Sequence, residues 1–336
     1  MKNIFKIVFV IIGTLIGAGF ASGREIYTFF SKFGIAGIFG IAISSSFICL
    51  IVYKLLIKIK EKNIENYNEL LIKINKKYIK LNKIINLIVN LFLLISFFIM
   101  IACFSAYIKQ IYNIPIYVSS TVFCLISGII FLGNINGVIK ANEILVPILI
   151  FFIVYLGIKN IPYLKSFNFT QLNNTNTKGW FINSLLYVSY NSIVLIPILS
   201  NLKLNKLNKK QIKFISIFSG LFILILSILI FGLLLRGEYF IQELELPLVE
   251  ISKQFGNIFK YIYGIVIIIS IYTSAISAGY SLLNNISKNK KQYILYLLII
   301  SVIGILVSNV GFSKLVENLY PLFGILGLIQ IILIIK

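Results

Sequence analysis

The sequence predicts an all-α integral membrane protein of about ten transmembrane helices, and three observations carry that expectation. Hydrophobic residues make up 59% of the 336, with a mean hydropathy of +0.98, well above the roughly 45–50% apolar content of a soluble domain. The apolar residues fall in repeated runs, each near the roughly 20 residues that a helix needs to cross a bilayer. The basic residues sit between the runs in an alternating pattern.

Ten spans follow from the runs: about Ile4–Phe30, Ile35–Ile59, Ile84–Ile108, Ile116–Leu132, Ile144–Ile158, Phe181–Leu199, Phe214–Leu235, Phe259–Leu283, Tyr293–Val307 and Leu315–Ile335. The first reads as a membrane helix rather than a cleaved signal, because it carries Gly and Thr mid-span and lacks a small-residue cleavage pattern. With both termini placed in the cytoplasm, 21 of the 31 basic residues fall on the inner side. That excess obeys the positive-inside rule. A multi-pass protein of a bacterial inner membrane is expected, forming a single domain over 1–336 with the lipid bilayer as partner; the sequence leaves its oligomeric state open.

The charge of +21 does not point to nucleic acid, because the lysines occupy short loops rather than one basic face. The chain has no His, and its ten acids are all Glu. His-based metal sites and Ser-His-Asp triads cannot be written here, so no enzyme and no resident cofactor is expected. Cys49, Cys103 and Cys124 lie singly in apolar runs and read as small buried residues. Residues 60–83 have Glu–Lys spacing that suits a short surface helix. The stretch around Pro247 reads either as a short capping helix over the outer mouth or as a solvated loop.

Two spans look irregular. Span 1 holds Gly13, Gly17, Gly19 and Gly23 within eleven residues, and each Gly weakens a helix by about 1 kcal/mol relative to Ala. The same glycines fit a small-xxx-small packing pattern, so a break and a close helix contact both remain open. In span 6, Ser189, Tyr190, Asn191 and Ser192 are adjacent, with Pro197 beyond them. Consecutive residues cannot all face one neighbour from a regular helix. Either span 6 opens there, or it carries a polar contact stripe and an ordinary proline kink. Paired interruptions at matching places in two halves mark transporter sites.

The segment GlyThrLeuIleGlyAlaGlyPheAlaSerGlyArgGluIle, followed by PhePheSerLysPheGly, resembles the opening of the YkvI-type bacterial membrane proteins. These are distant relatives of the amino acid–polyamine–organocation superfamily, which has the leucine-transporter fold. TyrValSerTyrAsn and ProLeuValGluIle agree with the resemblance more weakly. It implies a five-plus-five inverted repeat, about residues 4–158 and 180–336, with helices 1 and 6 discontinuous. A small-molecule substrate would lie against Gly17, Ala18, Gly19, Ser189, Tyr190 and Asn191. By likeness to sodium-coupled members, Na⁺ as a coupling ion would take the carbonyls of Gly13, Ile16 and Ser270 and the hydroxyls of Thr273 and Ser274. Those hydroxyls have an alternative role, bonding back to their own helix. Thr14 departs from the amide found at that place in better-known symporters, which puts a first sodium site in doubt.

The resulting expectation is a secondary active transporter of a small organic solute, an amino acid or amine, working by alternating access and driven by Na⁺. A proton-coupled transporter, or a channel or sensor that kept the fold, is the alternative. Glu25, Lys140 and Glu143 are the residues that would carry protons, although each reads as close enough to an interface to snorkel. Met100 and Phe104 are expected either to wall the pocket or simply to pack. No carboxylate is expected inside the membrane near the pocket.

Overall fold

A computed structural model describes residues 2–74, 79–132, 136–168, 172, 177–202, 207–237, 241 and 243–335. The ordered elements among them are helices, with no strand. Eight helices are long and apolar enough to cross a membrane. A ninth, Ile116–Leu132, has 17 residues and is apolar throughout.

The tenth span is the first in the chain, and it comes in three pieces: α1 Lys2–Leu15, α2 Ala18–Ala21 and α3 Arg24–Phe29. The glycines set the joints. Gly17 is extended, with φ −92° and ψ −171°, so the ladder of α1 stops there. Gly23 takes φ +81°, a left-handed conformation that side chains with a Cβ adopt only at a cost, and α3 starts from it. A Cβ at Gly23 would also come within 2.7 Å of the Leu248 side chain.

The remaining spans are α4 Ile35–Glu61, α6 Ile79–Tyr112, α7 Ile116–Leu132, α8 Asn136–Lys159, α10 Trp180–Ser200, α11 Lys209–Leu234, α13 Asn257–Ile286, α14 Lys290–Ser308 and α15 Phe312–Ile335. Short helices α5 Tyr67–Ile74, α9 Ile161–Ser166 and α12 Pro247–Lys253 connect them. The helix expected at Pro247 is therefore present as α12, with Pro247, Leu248, Val249 and Ile251 buried. Helix α5 carries the expected Glu69–Lys73 ion pair but is more than a surface helix. Its Leu70 and Leu71 are buried, and the Tyr67 hydroxyl accepts a 3.0 Å bond from Gln330 of α15. Burial raises the Tyr67 phenol well above its ordinary pKa.

One expectation is corrected. Span 6 is not discontinuous: α10 runs unbroken from Trp180 to Ser200, with Pro197 inside it. Its polar residues find partners without opening the helix. Ser192 Oγ donates to the Val188 carbonyl at 2.7 Å and Asn191 Nδ2 to the Tyr187 carbonyl at 3.0 Å. Such bonds to a carbonyl one turn back satisfy polar groups inside a regular coil. Helix α10 packs against α4 on one side and α15 on the other, while α1 packs against α11 and α8.

Candidate functional site

The break in the first span and the intact α10 border a cavity of about 1280 Å³. At the break, Ile16 N still donates to Ile12 O at 2.8 Å, and the ladder resumes with Ala21 N on Gly17 O at 3.0 Å. Between these points, among the described residues, no main-chain N–H reaches the carbonyls of Gly13 or Ile16. Unpaired backbone oxygens at membrane depth are tolerated only where a cavity or protein meets them. Gly13 and Ile16 both line the cavity, as do Gly17, Ala18 and Gly19.

Across from the break stands α13. Its Ser270, Thr273 and Ser274 line the same cavity, so all five positions of the anticipated cation set border one space. Ser274 Oγ is 3.6 Å from where a Cβ on Gly17 would sit, and Thr273 Oγ1 donates to the Ser270 carbonyl at 3.1 Å. Both alternatives for these hydroxyls thus have a counterpart: Thr273 bonds back to its own helix, and Ser274 faces the broken span.

The anticipated substrate residues divide. Tyr190 and Asn191 line the cavity beside Gly17–Gly19. Ser189 does not: it lies one position around α10, donates to the Gly324 carbonyl of α15 at 2.6 Å, and is fully buried in that helix contact. Met100 lines the cavity, whereas Phe104 packs on Phe123 and Tyr272 at 5.1 and 5.5 Å between ring centres.

Glu25 overturns two expectations. It is not an interfacial residue, and the pocket does hold a carboxylate. Glu25 is 3% exposed and lines the cavity. Its Oε1 accepts a hydrogen bond from the Tyr190 hydroxyl. Its Oε2 lies against Gly19, 2.9 Å from a Cβ built there, with the Tyr320 hydroxyl 3.4 Å from the same point. The side chains of Lys140 and Glu143 lie outside the described residues.

The cavity has one open end. Its wall runs to exposed Asn66, Asn86, Asn201 and Asn285, at the start of α5 and near the ends of α6, α10 and α13 that share a side with the N-terminus. The opposite end is shut by several layers. Arg24, 3% exposed, donates to Glu317 Oε1 of α15 at 2.5 Å and to the carbonyls of Ile241 and Leu244 at 3.0 and 3.2 Å. Phe29, Tyr190 and Tyr320 stack face to face, with centroid separations of 5.3 and 4.8 Å. Helix α12 docks on the joint between α2 and α3, Leu248 N donating to Ser22 O at 3.0 Å. Tyr263 of α13 donates to the Ala21 carbonyl at 2.6 Å.

Arg24, Glu317 and Tyr320 were missed from sequence. The available signal was ArgGlu placed straight after the glycine cluster and followed by IleTyrThrPhePhe. Two charges continuing into an apolar run are costly in lipid, and therefore point inward.

No family model matches the chain. It is 27% identical over 331 residues to the uncharacterised membrane protein YkvI of Bacillus subtilis, covering 96% of this chain and 92% of that protein. The chain resembles YkvI along nearly its whole length. It is likewise 25% identical to the uncharacterised protein YyaD of the same organism, over 96% of this chain and 93% of YyaD. Among solved structures it matches the Eremococcus coleocola manganese transporter with a TM-score of 0.64 at 15% identity, over 98% of this chain and 77% of that one. Mhp1 in an inward-facing conformation matches with a TM-score of 0.64 at 12% identity, over 96% and 73%. A Na⁺-coupled sialic acid symporter matches with a TM-score of 0.51 at 14% identity, over 96% and 75%. These likenesses show the fold, which is the leucine-transporter fold implied by the YkvI-type opening. The chain is a multi-pass membrane protein, and none of the three structural neighbours is named as an enzyme.

Proposed function

We propose that this protein is a secondary active transporter that carries a small organic solute, an amino acid or amine, by alternating access. The observation that carries the reading is the one-ended cavity reaching a broken helix. A channel needs a continuous path, whereas here the wall ends blindly at Glu25, Tyr190 and Tyr320, under the Arg24–Glu317 pair and α12. With the N-terminus in the cytoplasm, as the lysine distribution favours, the open end faces inward and the state is inward-open. Turnover then requires the closed end to part while the end near Asn66 and Asn285 closes.

The two halves support a rocking mechanism. Helix α1 packs on α11 and helix α10 on α4, contacts that exchange when each span is replaced by the one five places on. This is the relation expected of inverted repeats over about 4–158 and 180–336.

Na⁺ as coupling ion is supported by the donor set. The freed carbonyls of Gly13 and Ile16 and the oxygens of Ser270, Thr273 and Ser274 are hard ligands grouped around one space, the kind that such cations take. These residues would hold the ion, whose charge would tie α1 to α13. A transition metal as cargo, suggested by the manganese transporter's title, is disfavoured. Among the described residues no group of three His, Cys, Asp or Glu could hold one.

Counterflow tests the reading. Proteoliposomes preloaded with amino acids or amines should exchange a labelled solute saturably, faster with Na⁺ present, and Thr273→Ala should remove the Na⁺ effect. Ligand-evoked current without exchange would exclude a transporter.

A further inference from the structure

We propose that the transported solute carries a protonated amine and that Glu25 is its counter-charge. This rests on the transporter reading and adds the group of this chain that would recognise the solute's amine. The cavity wall contains one carboxylate, Glu25, and among the described residues no Lys or Arg. That is unexpected in a chain of net charge +21, and it leaves the cavity complementary to a cation rather than to an anion. The carboxylate is placed to receive one. It sits at the blind end, beyond the break, lining the cavity with Oε2 packed beside Gly19. Its Oε1 is oriented by the Tyr190 hydroxyl.

A buried charge without a cation is costly, and buried ions are normally paired. Among the described residues Glu25 makes no ion pair. The adjacent Arg24 is committed to Glu317 and to the carbonyls of Ile241 and Leu244. Tyr320 lines the cavity beside the carboxylate, and an aromatic ring there also favours ammonium groups. The remaining polar wall is made of amides and hydroxyls such as Asn90, Ser270 and Ser277, which can bond a neutral remainder of the solute.

The experiment uses the full chain, purified in lipid nanodiscs, with phenethylamine, putrescine, L-leucine and L-lysine as probes. Each is measured beside its N-acetylated counterpart (both amines capped in the diamines), with isocaproate as the anionic control. At least one free amine should bind the wild type ten-fold or more tightly than its acetylated form. Glu25→Gln should lose that factor and bind the two forms alike, because a preference carried by one contact disappears with either partner. Glu25→Asp should keep part of it. Should Glu25→Gln fail to fold, Glu25→Asp decides the residue: an undiminished ten-fold preference there overturns the assignment. Equal binding of free and acetylated forms by the wild type overturns the assignment, as does isocaproate binding best. Glu25→Gln keeping the ten-fold preference while losing only pH-driven uptake would overturn it too, making Glu25 a proton carrier. Failure of every amine alongside saturable counterflow of another solute would sink this inference and leave the transporter reading standing. Absence of counterflow for any solute would sink the latter.

Discussion

The first and sixth spans open the two halves of the chain, and they solve the same problem in opposite ways. Both place polar chemistry in the middle of the membrane. The first does so with glycine and bares its backbone: α1 stops at Leu15, Gly17 is extended, and the Gly13 and Ile16 carbonyls are left to the cavity. The sixth does so with side chains and keeps its backbone whole from Trp180 to Ser200. Four adjacent polar residues distribute themselves around the coil. Ser189 bonds α15, Tyr190 bonds Glu25, Asn191 turns to the cavity and Ser192 bonds back to Val188. Polar side chains that can reach a carbonyl three or four residues back do not break a helix, whereas in the first span the extended Gly17 and the left-handed Gly23 do.

The largest effect is expected at the joints. Gly23→Ala must place a Cβ at φ +81° and against Leu248, and a non-Gly residue there costs about 1–3 kcal/mol of strain. It should lower the melting temperature more than any single change in α10, and transport should fall with it. An unchanged melting curve would mean the joint is not fixed by Gly23.

The latch comes next. Glu317→Gln removes the charge facing Arg24, and breaking a buried pair costs about 3–5 kcal/mol, less here because Glu317 is 36% exposed. The closed end should open more often. A cysteine at Gly19, in a background lacking Cys49, Cys103 and Cys124, should then react faster with a membrane-impermeant maleimide applied from the Glu317 side.

Ser189→Ala sharpens the contrast. It loses a 2.6 Å bond to Gly324; the Gly324 carbonyl stays in the ladder of α15, so the loss is that of one hydrogen bond, about 0.5–1.5 kcal/mol. Stability should drop while solute affinity stays unchanged, since Ser189 faces α15. A change in affinity without loss of stability would return Ser189 to the binding site.

The smallest effect is a rate difference within the intact protein. Amide hydrogen exchange at Gly17 should outpace that at Asn191 and Ser192, because only the former lies outside a continuous ladder. Equal protection would show that the break heals in solution.

Span number was legible because it depends on local composition, and the glycine cluster offered the break as one of two readings. That Gly13, Ile16, Thr273 and Ser274 border one space was anticipated only through the resemblance to sodium-coupled transporters, not from composition or helix period. The depth of Glu25 was not. Counting residues along one straight helix carries position 25 toward the interface, but the chain bends at Gly17 and again at Gly23, so distance along the sequence no longer measures depth. The state of α10 was hidden for another reason: whether adjacent polar residues open a helix depends on which neighbour offers a carbonyl or hydroxyl, and Gly324 lies 135 residues away from Ser189. Arg24 and Glu317 are separated still further, by 293 residues.

Arg24 and Glu25 are consecutive, yet one grips the sealed end and the other reaches into the chamber. Successive α-carbons are held about 3.8 Å apart by a rigid peptide unit, and α3 is only six residues long. A solute held by Glu25, as proposed, would therefore pull directly on the anchor of its neighbour, so the handle and the bolt are cut from one piece of backbone.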